Sequence, residues 1–135
     1  MSAPILFDCD PGHDDAIALL LALASPELEV LGVTTVAGNT TLPKTTANAL
    51  RVLELADRSD VPVAAGCDRP LVRDLVVAEH VHGATGLDGP MLPPPGGSVV
   101  ETHAVDFLAE QIRGSRHPVT LVPVGPLTNI ALLLS

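Results

Sequence analysis

Four runs of this chain are short, nearly continuous in apolar character and rich in β-branched side chains: Ile5–Asp8, Val30–Val36, Val61–Ala65 and Val119–Val124. A strand that is apolar on both faces must be covered on both faces, which is the habit of parallel sheets. Helical patterns fill the intervals at Asp14–Ala24, Pro43–Ala56 and Val100–Arg113, and Pro126-Leu127-Thr128-Asn129 reads as the start of one more helix. The alternation predicts an α/β fold with a mainly parallel, Rossmann-like open sheet and flanking helices. In such sheets ligands bind outside the carboxyl ends of the strands, so chemistry is sought there.

The 135 residues read as a single α/β unit spanning 1–135, with no repeat and no linker. With two Phe and no Tyr or Trp, the core must be built from aliphatic side chains. Seven basic residues without a cluster, and a net charge of −9, exclude a phosphate-tracking surface and hence a nucleic-acid partner. The longest apolar run, Ala16–Ala24, is nine residues, against the ~20 that a membrane span needs. No secretory signal opens the sequence, and Cys9 and Cys67 suggest no disulfide framework, so a cytoplasmic location is expected. Residues 66–98 are rich in Gly and Pro, show no period, and read as a lid or active-site loop.

The strongest chemical signal sits where the first strand ends. Asp8-Cys9-Asp10-Pro11-Gly12-His13-Asp14-Asp15 crowds four carboxylates onto one turn. Asp14 and Asp15 alone would pass for helix-start acids favoured by the dipole, but four acids repel one another unless a hard cation neutralises them. An EF-hand loop begun at Asp8 fails at Gly12, His13 and Leu19. Zinc is excluded because the set is oxygen-rich and Cys9 alternates to the opposite face from Asp8 and Asp10.

Asp8-Cys9-Asp10-Pro11-Gly12-His13-Asp14-Asp15-Ala16 resembles the amino-terminal signature of the inosine–uridine-preferring nucleoside hydrolases. Val36-Ala37-Gly38-Asn39 with Asn48-Ala49, Val81-His82-Gly83-Ala84-Thr85-Gly86-Leu87, and Gly125-Pro126-Leu127-Thr128-Asn129 fit the same family in order. The resemblance implies an enzyme that hydrolyses ribonucleosides to ribose and free base with Ca²⁺. It implies that Asp10 and Asp15 ligate the ion together with the main-chain carbonyl of Thr128, and that Asp10 is also the base toward the attacking water. Asp14 and Asn39 would hold ribose hydroxyls, Asp8 would support the turn from behind, and His82 would act from the loop beside the pocket. The intact protein would be a homo-oligomer, a dimer or tetramer.

Other readings stand beside these. His82 has a bland alternative as a polar loop residue, Asn39 as a strand-ending turn residue and Thr128 as a helix cap. His13 reads as a turn residue facing solvent, and His80, His103 and His117 as surface. A phosphatase-like Asp-x-Asp enzyme is the rival chemistry, with Asp8 as nucleophile and Asp10 as acid/base, although Asp14 and Asp15 would repel a phosphate. The family's chains also run longer, and their later part carries another metal-ligating Asp, more ribose contacts and the acid for the leaving base. The expectation is therefore an amino-terminal portion, and a truncated relative that binds calcium or ribose without catalysis is the non-enzymatic alternative. An unpaired sheet edge and an uncovered apolar last helix are expected with it.

Overall fold

A computed structural model describes residues 1–135. The element order is β1 (Ala3–Cys9), α1 (His13–Ala24), β2 (Leu28–Thr35), α2 (Leu42–Leu55), β3 (Val63–Ala65), α3 (Glu79–His82), α4 (Ala104–Gly114), β4 (Thr120–Pro123) and α5 (Thr128–Leu134). The four strands form one parallel sheet in the order β3-β2-β1-β4. The strand order reverses between β1 and β4, which makes their carboxyl ends the switch point of the sheet. No helix is long and apolar enough to cross a membrane.

Strand alternation divides the core into two layers. Ile5, Phe7 and Cys9 of β1 join Leu19, Ala22, Val52 and Leu53 on the α1/α2 face. Leu6 turns the other way and packs with Ala104, Phe107 and Leu108, against which Ile130 and Leu133 of α5 also lie. Asp8 shares the face of Leu6, so it looks toward α5. The register of β1 on β2 shifts by one residue between Ile5 and Leu6, with Leu31 the extra residue. Gly32, next to this bulge, leaves room for the Phe107 ring: a Cβ there would stand 2.6 Å from its edge.

The expected elements are all present, with three adjustments. Val100 is not helical; its N–H donates to the Val63 carbonyl at 2.9 Å, extending the edge of β3. The helix begins only after His103, whose Nδ1 accepts from the Val105 N–H and caps it. β3 loses its first two residues because Pro62 has no N–H to give the ladder, though its carbonyl still accepts from Val33. Residues 66–98 are not structureless, since they contain α3 and the side-chain knot described below. β4 is an edge strand, and Leu127, Leu132 and Leu134 around α5 are exposed.

Candidate active site

β1 ends by delivering Asp8 and Asp10 to the switch point, and the turn after it returns Asp15 to the same place. All three carboxylates are buried. Asp15 does not cap its own helix; its Oδ2 accepts from the Asp10 N–H at 3.0 Å, tying the turn across its mouth. Asp14, one residue earlier, is exposed and its carboxylate has no protein partner. The two neighbours that look equivalent in sequence thus face opposite environments.

Asp10 is held on several sides. Asn39 donates its N–H to Asp10 Oδ2 at 2.7 Å and its Nδ2 to the Asp10 carbonyl at 2.9 Å. Gly38 and Gly125 press their Cα atoms against the carboxylate, where any Cβ would collide with Oδ2 and Oδ1 respectively. The loops after β2 and β4 therefore both close on Asp10, and only glycine at these two positions allows it. Thr128 follows as the first residue of α5 and is buried; the helix cap is Leu127, so the capping reading of Thr128 does not hold.

Asp8 lies behind this group. Its Oδ1 accepts from Thr34 Oγ1 at 2.5 Å and from Asn129 Nδ2 at 2.8 Å, while Oδ2 is buried with no partner. Asn129 is fully buried; it also donates to the Thr35 carbonyl and accepts from the Cys67 N–H. One amide thus joins α5, β1, β2 and the segment after β3. Its position in the Gly125–Asn129 motif was visible in the sequence, but its partners were not.

Burial raises the pKa of all three acids. For Asp8 the hydrogen bonds from Asn129 and Thr34 oppose the rise, and for Asp10 the Asn39 N–H does so. Asp15 is pushed up to about 7, by burial first and by the neighbouring Asp10 carboxyl besides. No basic side chain compensates, since the single ion pair, Arg58–Asp60, lies elsewhere on the surface. No three His, Cys, Asp or Glu side chains converge as a complete metal-binding set. The donor chemistry nonetheless fits a hard divalent cation: oxygen ligands only, uncompensated charge, and a rigidly held carboxylate pair.

The 79–88 segment closes over this turn. Asp88 knots it by accepting from the Ala84 and Thr85 N–H groups and the Thr85 hydroxyl. Gly83, at φ +79°, adopts a backbone that favours glycine and also makes room for the Asp88 carboxylate. Asn48, from α2, donates to the carbonyls of Thr85 and Pro11 and so fastens knot and turn together. His82 lies against Gly12, where a Cβ would stand 2.5 Å from its Nδ1. Gly12 has φ −99°, open to any residue, so its role is this close approach. His13, expected to face solvent, is half-buried, with one edge of its ring against that of His82. His80, His103 and His117 are exposed, as expected.

An acid cluster at the switch point of a parallel Rossmann-like sheet places the chain among the open-sheet α/β proteins, and the kinship is specific. The family model "inosine-uridine preferring nucleoside hydrolase" matches residues 5–135, and the chain belongs to this family. It is 63% identical over all 135 residues to a pyrimidine-specific ribonucleoside hydrolase of Shewanella oneidensis, covering 42% of that protein. It is 60% identical over its whole length to a protein of the same description from Photobacterium profundum, covering 44% of it. Among solved structures, the plant nucleoside hydrolase PpNRh1 superposes with a TM-score of 0.90 at 39% identity, over 99% of this chain and 43% of that one. A purine-preferring ribonucleoside hydrolase from Gardnerella vaginalis gives 0.92 at 31% identity, over 97% and 43%. The chain thus spans less than half the length of these relatives. The family match sets aside the phosphatase-like alternative.

Proposed function

We propose that this chain supplies the acid-bearing part of a ribonucleoside hydrolase that cleaves the N-glycosidic bond to give ribose and free base. The observation that carries the reading is the set of three buried carboxylates at the switch point with no basic side chain to neutralise them. Asp10, Asp15 and the Thr128 carbonyl would hold Ca²⁺, which when bound supplies Lewis acidity to the attacking water. Asp10 takes the proton from that water; its position, fixed by Asn39, Gly38 and Gly125, keeps one carboxylate aimed at one place. Asp14, exposed at the mouth, and the Oδ1 of Asn39 hold ribose hydroxyls. The positive charge that develops on the sugar as the base departs is stabilised by the surrounding carboxylates. His82 borders the pocket from the 79–88 segment. Because relatives 56–64% identical are described as pyrimidine-specific, uridine and cytidine are the favoured substrates.

The test is a chimera in which these 135 residues replace the matching part of the Shewanella oneidensis relative. Uracil release from uridine, followed by absorbance, is expected from the chimera, with slower release of hypoxanthine from inosine. Asp10→Asn should lower the rate by at least ~10²-fold, the usual scale for a lost general base. A chimera that folds but releases base from neither nucleoside, or an Asn variant as fast as the parent, overturns the proposal.

A further inference from the structure

The geometry points to His13 as a positioning residue that fixes the tautomer of His82, presenting the Nε2 of His82 as a bare acceptor. His13 Nε2 lies 2.7 Å from the carbonyl oxygen of Asp88. A carbonyl only accepts, so Nε2 carries the proton, and in a neutral imidazole the Nδ1 of His13 is then a lone pair. That lone pair faces His82 Nδ1 at 3.2 Å. The ring centroids are 5.4 Å apart, with planes 27° from parallel. This separation is filled by the nitrogen–nitrogen gap and the two ring radii, so the rings meet by their edges and not their faces. Two lone pairs aimed at each other along one line would repel. A hydrogen on His82 Nδ1, donated to the His13 lone pair across the shorter of the two contacts, removes that repulsion and leaves His82 Nε2 bare.

A competing donor makes the assignment testable. The main-chain N–H of His13 also points at His82 Nδ1, at 3.4 Å, the long limit of a hydrogen bond. If it were the true donor, the two Nδ1 atoms would face each other with no proton between them. Removing the His13 ring leaves this N–H as the only partner of His82 Nδ1, and the tautomer of His82 should then reverse. The arrangement also explains why position 12 is glycine, since the His82 ring occupies the space of its Cβ. Only the use of the bare Nε2, to accept a hydrogen bond or a proton at the pocket, rests on the proposed function. The tautomer is a property of this chain alone.

Long-range ¹H–¹⁵N correlation spectra of the ¹⁵N-labelled chain, recorded at about pH 8.5, above the ordinary imidazole range, read both rings at once. The expected result is opposite tautomers, with His13 protonated on Nε2 and His82 on Nδ1. In His13→Ala the protonated and bare nitrogens of His82 should exchange places. In His13→Asn, whose Oδ1 stands where Nδ1 stood, His82 should keep its Nδ1 proton, which serves as the reference should the alanine variant fail to fold. Backbone amide shifts far from the turn report that each variant folds. His82 already protonated on Nε2 in the parent, or still on Nδ1 in a folded His13→Ala, overturns the inference whatever the enzyme's activity proves to be.

Discussion

Asn129→Ala is the substitution that most sharply probes how the acidic turn is held. The side chain is fully buried and makes three hydrogen bonds: to Asp8 Oδ1 at 2.8 Å, to the Thr35 carbonyl at 3.0 Å and from the Cys67 N–H at 2.9 Å. The three losses are unequal. The Thr35 carbonyl keeps the Gly66 N–H at 2.9 Å, so it stays satisfied. Asp8 keeps only Thr34 in a site where its Oδ2 already lacks a partner, and a lost bond to a charged group costs about 1.5–3 kcal/mol. The Cys67 N–H adds about 1 kcal/mol. The sum is roughly 2.5–4 kcal/mol, which at a slope of ~2 kcal/mol/M lowers the urea midpoint by roughly 1.2–2 M. Equilibrium urea unfolding followed by circular dichroism measures it. A loss below ~1 kcal/mol with unchanged slope would show that Asn129 is not the tie between α5 and the turn, and the reasoning would be wrong.

Two further outcomes follow from the same geometry. Gly12→Ala is compatible with the backbone at φ −99° but drives a Cβ into His82, so the change should act on the loop and not on the fold. Amide exchange at Val81 and His82, whose N–H groups bond to the Ala78 carbonyl, should speed up by ~10-fold or more, with global stability altered by less than ~1 kcal/mol; unchanged exchange would contradict the contact. For pH, Asp15 sits at about 7 folded against an ordinary 3.8. Between those values the folded chain binds more protons than the unfolded chain, so this contribution is present at low pH and lost as pH rises through 7. Without metal, stability should fall by roughly 2–3 kcal/mol from about pH 5 to about pH 8, at 1.36 kcal/mol per unit. Thermal melts across that range check it, and a rise instead of a fall contradicts the assignment.

What could be read from the sequence was what lies close together along it. The strands announced themselves through continuous β-branched runs, and the four acids through their crowding on one turn. The relations that organise the site join residues far apart, and no local pattern records them. Asn129 reaches Asp8 across 121 positions, and His13 meets His82 across 69. Helix α3 is a single turn of four residues, too short to show a period. Val100 carries the apolar character of a helix face but is drawn to β3 by a backbone bond that only the fold provides. Even within the acid cluster, the adjacent Asp14 and Asp15 separate into an exposed and a buried carboxylate only once the turn closes. The resemblance to nucleoside hydrolases supplied roles for these residues, while the structure supplied the reasons for Gly12, Gly38 and Gly125.

The central claim is that Asp10 and Asp15 form a site for a hard divalent cation. Calorimetric titration of Ca²⁺ into this chain, beside Asp10→Ala, tests it directly. Saturable heat from the parent chain and none from the variant is the predicted result. Equal heats from both, or no binding by the folded parent, would contradict the account.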